Sequence, residues 1–105
     1  MRRGEVWWAE LAGDAGFRPV VIVSCIDPTG ARRNVTIAEG TRVMRRIPSE
    51  VPLTSADGMP TDCAINADNL HTIPMDRLRA RIVALSDAQE FALARALRYS
   101  LGLEW

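Results

Sequence analysis

FRPVVIVSC, residues 17–25, sets an arginine and a proline before a run that stays apolar from Val20 to Val23. A strand with one wet face alternates apolar and polar side chains, whereas one without alternation is covered on both faces and belongs inside a sheet. Pro19 supplies no backbone donor, which confines it to the first residue of that strand. Arg18 therefore brings a permanent charge to the mouth of the most buried strand of the chain. Its stem either covers apolar neighbours while the head reaches water, or the rigid strand holds the guanidinium in one geometry beside an anion.

The flanking segments fix what this strand pairs with. GEVWWAEL (4–11) is rich in strand formers, and AGDAG (12–16) is a short turn that returns the chain as the first hairpin. The Trp7–Trp8 pair reads as core plus one partly exposed ring, with stacking on a base as the alternative. DPTGARR (27–33) is a turn cluster. NVTIA (34–38) resumes the strand pattern with Val35 and Ile37 on one face, and Thr41 stands at the end of that strand. EVPL (50–53) is a fourth strand, edge-like because of Pro52. SADGMPTD (55–62) is a loop, CAIN (63–66) a fifth strand and RIVAL (81–85) a sixth. Short strands joined by Gly/Pro turns predict a small barrel or strongly bent sheet. Ser86 followed by Gln89 is a capping box, Leu93, Leu97 and Leu101 recur every fourth residue, and Gly102 is placed to end a helix. The expected class is α+β, mainly β, with a C-terminal helix and one domain over 1–105.

Composition narrows the function classes. The 105 residues are 48 % hydrophobic and 25 % charged with zero formal net charge, as in an ordinary globular domain. No apolar run reaches the ~20 residues that span a bilayer, and the N-terminus lacks an export signal, so a cytoplasmic protein is expected. All 13 cationic side chains are arginines, planar forks suited to phosphate. Cys25 and Cys63 have no metal-ligand spacing and read as buried small apolar side chains. A lone histidine supports no hydrolase triad, no P-loop occurs, and Asp57, Asp62 and Asp68 are scattered, so neither metal nor cofactor is expected.

The remaining polar candidates each carry two readings. Arg42, Arg45 and Arg46 form either a solvated loop or a phosphate-tracking patch. In NADN (66–69), Asn69 reads as turn closure, whereas Asn66 and Asp68 serve either a turn or a site. His71 is either a packed, hydrogen-bonded side chain or a proton carrier.

Taken in order, RRGEVWWAEL, RPVVIVS, a threonine after the third strand, IPSEVPL, the G-x-P-x-DC pattern, NADNLHTIP and SLGLEW resemble the MazF/PemK (Kid-like) family of toxin endoribonucleases over nearly the whole chain. The resemblance implies an SH3-like barrel with a C-terminal helix, a homodimer, and metal-independent, sequence-specific cleavage of single-stranded RNA, mRNA above all. It implies Arg18 and Thr41 as catalytic residues and Asp68 as the group that orients or accepts the 2′-hydroxyl proton. Asn66, Arg42, Arg45, Arg46 and His71 become RNA-binding residues. The implied partner is an acidic, MazE-like antitoxin attracted to the same groove, with operator DNA met only through that complex. Two departures stand out: Glu39, expected to repel phosphate, and Gly40, expected to loosen the backbone carrying Thr41. The AGDAG loop is also shorter than the family's base-reading loop. The competing readings are a non-catalytic protein on the same barrel, like the CcdB-type gyrase inhibitors, and a degenerate partner of an antitoxin.

Overall fold

The computed structural model describes residues 1–11, 13 and 16–103. Its strands are β1 (Glu5–Glu10), β2 (Phe17–Ile22), β3 (Asn34–Thr41), β4 (Glu50–Leu53), β5 (Cys63–Pro74) and β6 (Leu78–Ala84), followed by helix α1 (Asp87–Leu101). They form one antiparallel sheet in the order β4-β5-β3-β2-β1-β6. β2 lies inside this sheet, and Val20, Val21 and Ile22 are wholly buried. The reason for the unbroken apolar run is that each face has its own core. Val21 packs with Val6, Ala38 and the helix residues Leu93 and Ala96, while Val20 and Ile22 pack with Ala9, Val35, Ile37 and Leu78. Full burial of each such aliphatic side chain is worth about 1.5–3 kcal/mol.

The sheet curls into a half-barrel whose edges are β4 and β6. Val51 and Leu53 of β4 share a core with Ile82 and Val83 of β6, and a Cβ on Gly58, just after the 3-10 turn Ser55–Asp57, would lie 3.3 Å from Val83 Cγ2. Pro52 is exposed on the β4 edge, where its missing donor costs no ladder bond. The helix begins and ends as its sequence directs. Ser86 Oγ accepts from Gln89 N at 3.2 Å, Gln89 Oε1 accepts from Ser86 N at 2.9 Å, and Gly102 turns out at φ 67° with Leu103 N donating to the Arg98 carbonyl at 2.9 Å. Among the described residues, no helix is long and apolar enough to cross a membrane.

Several expectations are corrected. β5 does not stop at Asn66 but runs on to Pro74, because the backbone beyond NADN pairs again with β3. β6 starts at Leu78 instead of Arg81, paired with the end of β1. Leu101 is 54 % exposed, so the buried helix stripe is Leu93 and Ala96, flanked by half-buried Ala92 and Leu97. Cys25 is exposed. Cys63 is buried as expected, and burial, with Asp62 nearby, pushes its thiol up from the ordinary value. The AGDAG reading concerns a loop of which residues 12, 14 and 15 lie outside the described set.

Candidate active site

β2 begins and β3 ends at the same end of the sheet. Val20 pairs with Glu39, so the same register carries Pro19 to Gly40 and Arg18 to Thr41. Gly40 is what lets the strands meet there. A Cβ at this position would lie 2.9 Å from the Pro19 carbonyl oxygen and 3.1 Å from Pro19 Cγ. The glycine thus brings β3 against β2 where Thr41 and Arg18 converge, and the loosening expected from the sequence is corrected to close packing.

Arg18, Gly40 and Thr41 line two adjoining cavities. One, about 410 Å³, also has Trp8, Phe17 and Arg42 in its wall. The other, about 350 Å³, adds Glu39, Arg45, Asn66, Asp68 and Asn69. Together they make one groove across the strand ends. Thr41 Oγ1 accepts from Val43 N at 3.2 Å, which leaves the hydroxyl proton to donate elsewhere. Of the sequence candidates, Arg18, Thr41, Arg42, Arg45, Asn66 and Asp68 meet in this groove, and His71 reaches it through Glu39. Arg46 does not. Its backbone sits at φ 55°, and with Arg45 it wraps the Glu50 carboxylate, Oε1 accepting from the two amides at 3.0 and 2.9 Å. That turn sends Arg46 to a separate cavity beside Met44, Ile47 and Pro52.

Glu39 does stand in the groove, where it meets three neighbours. Its Oε2 is 2.9 Å from His71 Nε2 and accepts from Asn69 Nδ2 at 3.0 Å, and its Oε1 is 3.6 Å from Arg18 Nε. The carboxylate is only 14 % exposed, and its charge is spent on these neighbours instead of facing the groove alone. Strand alternation carried the signal: residues 35, 37, 39 and 41 share a face, which puts Glu39 beside Thr41 and opposite β2. Asn69 is corrected from turn closure to this contact. The turn is closed by Asn66, whose Oδ1 accepts from Asp68 N at 2.9 Å.

NADN itself is a bulge inside β5. Ala38 stands opposite Leu70 but Glu39 opposite Asn66, so residues 67–69 are extra in the ladder with β3; Ala67 turns into the core, its amide donating to the Ser49 carbonyl at 2.8 Å, while Asp68 and Asn69 face the groove. Two serines anchor the bulge. The hydroxyl of buried Ser49 donates to Asp68 Oδ2 at 2.6 Å, and the Ser100 hydroxyl, on the last turn of α1, is shared between Asp68 Oδ1 at 2.7 Å and the Ala67 carbonyl at 3.0 Å. Among the described residues, no three His, Cys, Asp or Glu side chains gather as a metal ion would need.

Residues 2–101 match the model of the PemK-like, MazF-like toxins of type II toxin-antitoxin systems. The chain belongs to this family. A probable endoribonuclease, MazF2 of Mycobacterium tuberculosis, is 40 % identical over 104 residues, covering 97 % of this chain and 99 % of its own. The solved structure of the M. tuberculosis toxin MazF-mt6 is 32 % identical with a TM-score of 0.85, covering 96 % of this chain and 99 % of that one. A mycobacterial endoribonuclease solved in complex with its cognate antitoxin is 28 % identical, TM-score 0.86, covering 100 % and 98 %. The half-barrel with its C-terminal helix is thus the MazF fold.

In this MazF-like toxin the Asp68 contacts have a measurable consequence. Hydrogen bonds from Ser49 and then Ser100 outweigh partial burial and lower the carboxyl pKa below its ordinary 3.8. A carboxyl depressed on folding stabilises the protein above its unfolded pKa, and that stabilisation is lost as pH falls through the folded value. Asp68→Asn should therefore unfold at a lower temperature than the parent at neutral pH, and the gap should narrow as pH drops below the ordinary aspartate range. Thermal melts at neutral and acid pH test this, and a gap that stays constant contradicts it.

Proposed function

We propose that this MazF-like toxin is a sequence-specific endoribonuclease that cuts single-stranded RNA, chiefly mRNA, by attack of a ribose 2′-hydroxyl on the adjacent phosphate, without a metal ion. The observation that carries the reading is the convergence of Arg18 and Thr41, side by side on paired strands, in a groove shared with Asp68 and Asn66. In this reaction the 2′-oxygen bonds to phosphorus and the bond from phosphorus to the 5′-oxygen breaks, leaving a 2′,3′-cyclic phosphate and a 5′-hydroxyl. Arg18 grips the phosphorane, where positive charge matters most, and delivers a proton to the departing 5′-oxygen. The Thr41 hydroxyl donates to a phosphate oxygen. Asp68, an ionised carboxylate at neutral pH, accepts the hydrogen bond of the 2′-hydroxyl and takes its proton as the attack proceeds. Glu39 is a positioning residue that fixes Arg18 from one side.

Asn66, Arg42, Arg45 and His71 bind the strand around the cut, the arginines by phosphate contact. The toxin acts in the cytoplasm as a homodimer. A MazE-like acidic antitoxin occupies the arginine-lined groove and blocks RNA, and operator DNA is contacted only by that complex. The test is to incubate the purified protein with a long single-stranded RNA in EDTA and map the new 5′ ends. Cuts at a recurrent short motif, each leaving a 5′-hydroxyl, are expected. Intact RNA, or cutting that needs magnesium, would sink the reading.

A further inference from the structure

The groove continues past Arg18. Trp8 and Phe17 line its 410 Å³ part and also a neighbouring cavity of about 390 Å³, whose other walls are Arg79 and Ala80. The strand pairing explains the cluster. Trp8 stands opposite Pro19 on β2 and Ala80 on β6, and Glu10 stands opposite Phe17, so Trp8 and Phe17 project from the same face. Phe17 is 54 % exposed, which leaves a large ring uncovered at the groove's end. Arg79 is pinned at the rim, its Nη2 donating to Glu10 Oε1 at 3.1 Å. Phe17 and Arg18 are consecutive, about 3.8 Å apart along the chain, and the cavity wraps the strand end so that ring and cation both line it.

We propose that Trp8, Phe17 and Arg79 form a base-stacking subsite that takes one unstacked nucleobase next to the phosphate held at Arg18. The proposal rests on the RNA reading of the groove and adds where a base goes. Two aromatic rings and a guanidinium plane offer faces on which any base stacks, and single-stranded RNA is the form whose bases are splayed out to use them. Ala80 adds a small apolar floor. Trp8, Phe17 and Ala80 have no amide or carboxylate to read a base edge, and Arg79 is engaged by Glu10, so the subsite contributes affinity more than sequence preference. Continuity with a groove bearing Arg18 and Arg42 favours a strand with alternating phosphates and bases over an apolar peptide.

The test uses a fluorescein-labelled, short, mixed-sequence single strand with 2′-O-methyl riboses, which cannot be cleaved, and a matched abasic sugar-phosphate strand, both titrated by anisotropy. The parent protein should bind the base-bearing strand roughly tenfold or more tightly than the abasic one. Phe17→Ala, at an exposed position that leaves the fold intact, should remove most of that preference without changing affinity for the abasic strand, and Phe17→Tyr should restore it. Trp8→Leu should act in the same direction. Equal preference in the parent and Phe17→Ala, or no preference in the parent, overturns the subsite. Because the probe is uncleavable, the two readings fail separately. Uncut RNA with a preference lost in Phe17→Ala removes the nuclease but keeps the subsite, and cut RNA with the preference intact in that variant removes only the subsite.

Discussion

Replacing Arg18 with alanine is expected to slow single-turnover RNA cleavage by at least ~100-fold while leaving the thermal unfolding curve close to that of the parent. The side chain is 46 % exposed, so its truncation removes little packing. The loss falls on the transition state, where the phosphorane carries more negative charge than the ground-state diester, and a preorganised cation is worth most there. The wholly buried Val20–Ile22 segment behind it is what makes the cation preorganised. Arg18→Lys keeps the charge but loses the planar fork, and it should remain well below the parent. A rate for Arg18→Ala within a few fold of the parent would show that the guanidinium is not at the scissile phosphate.

The second large effect belongs to Gly40, a groove residue with no side chain to offer a substrate. At the 2.9 Å contact with the Pro19 carbonyl oxygen a β-branched side chain has nowhere to go, since the obstacle is backbone. Gly40→Val should push β3 away from β2, with an overpacking cost of about 1–3 kcal/mol. It should also shift Thr41 relative to Arg18, and a displacement of the order of 1 Å between reacting groups lowers rates by roughly 100-fold. Gly40→Ala should move both quantities the same way by less. Urea unfolding midpoints and cleavage rates measured on the same preparations test the pair. A valine variant as stable and active as the parent would contradict the close approach of the two strands.

How far the sequence foretold this site depends on whether the deciding information was local. The unbroken apolar run announced a doubly covered strand because burial on both faces is written into Val20, Val21 and Ile22, although the strand stops before half-buried Val23, and the helix announced itself through Ser86, Gln89 and Gly102 because caps are local chemistry. The course of β5 was hidden for the opposite reason. Asn66 does close a turn on Asp68, yet the strand resumes beyond it, and only the pairing of β3 with Leu70–Pro74 distinguishes a bulge from a strand end. Asp68 depends on Ser100, 32 residues away, for its position. The partners of Glu39 are not legible in the sequence because its neighbours in space, Arg18, Asn69 and His71, come from two other strands. Arg46 was placed in the groove because three arginines in five residues look alike until the backbone turns around Glu50 and parts them.

The most direct measurement is to place a single 2′-deoxy residue immediately 5′ to the scissile phosphate of a short RNA and follow cleavage in EDTA. Arg18 and Thr41 acting on a phosphate attacked by its own ribose predict that cutting at that linkage disappears, while the substituted strand still competes for the groove and the unsubstituted strand yields a 5′-hydroxyl product. Continued cutting at the deoxy linkage would mean that water, not the sugar, is the nucleophile, and would contradict the chemistry assigned to these two residues.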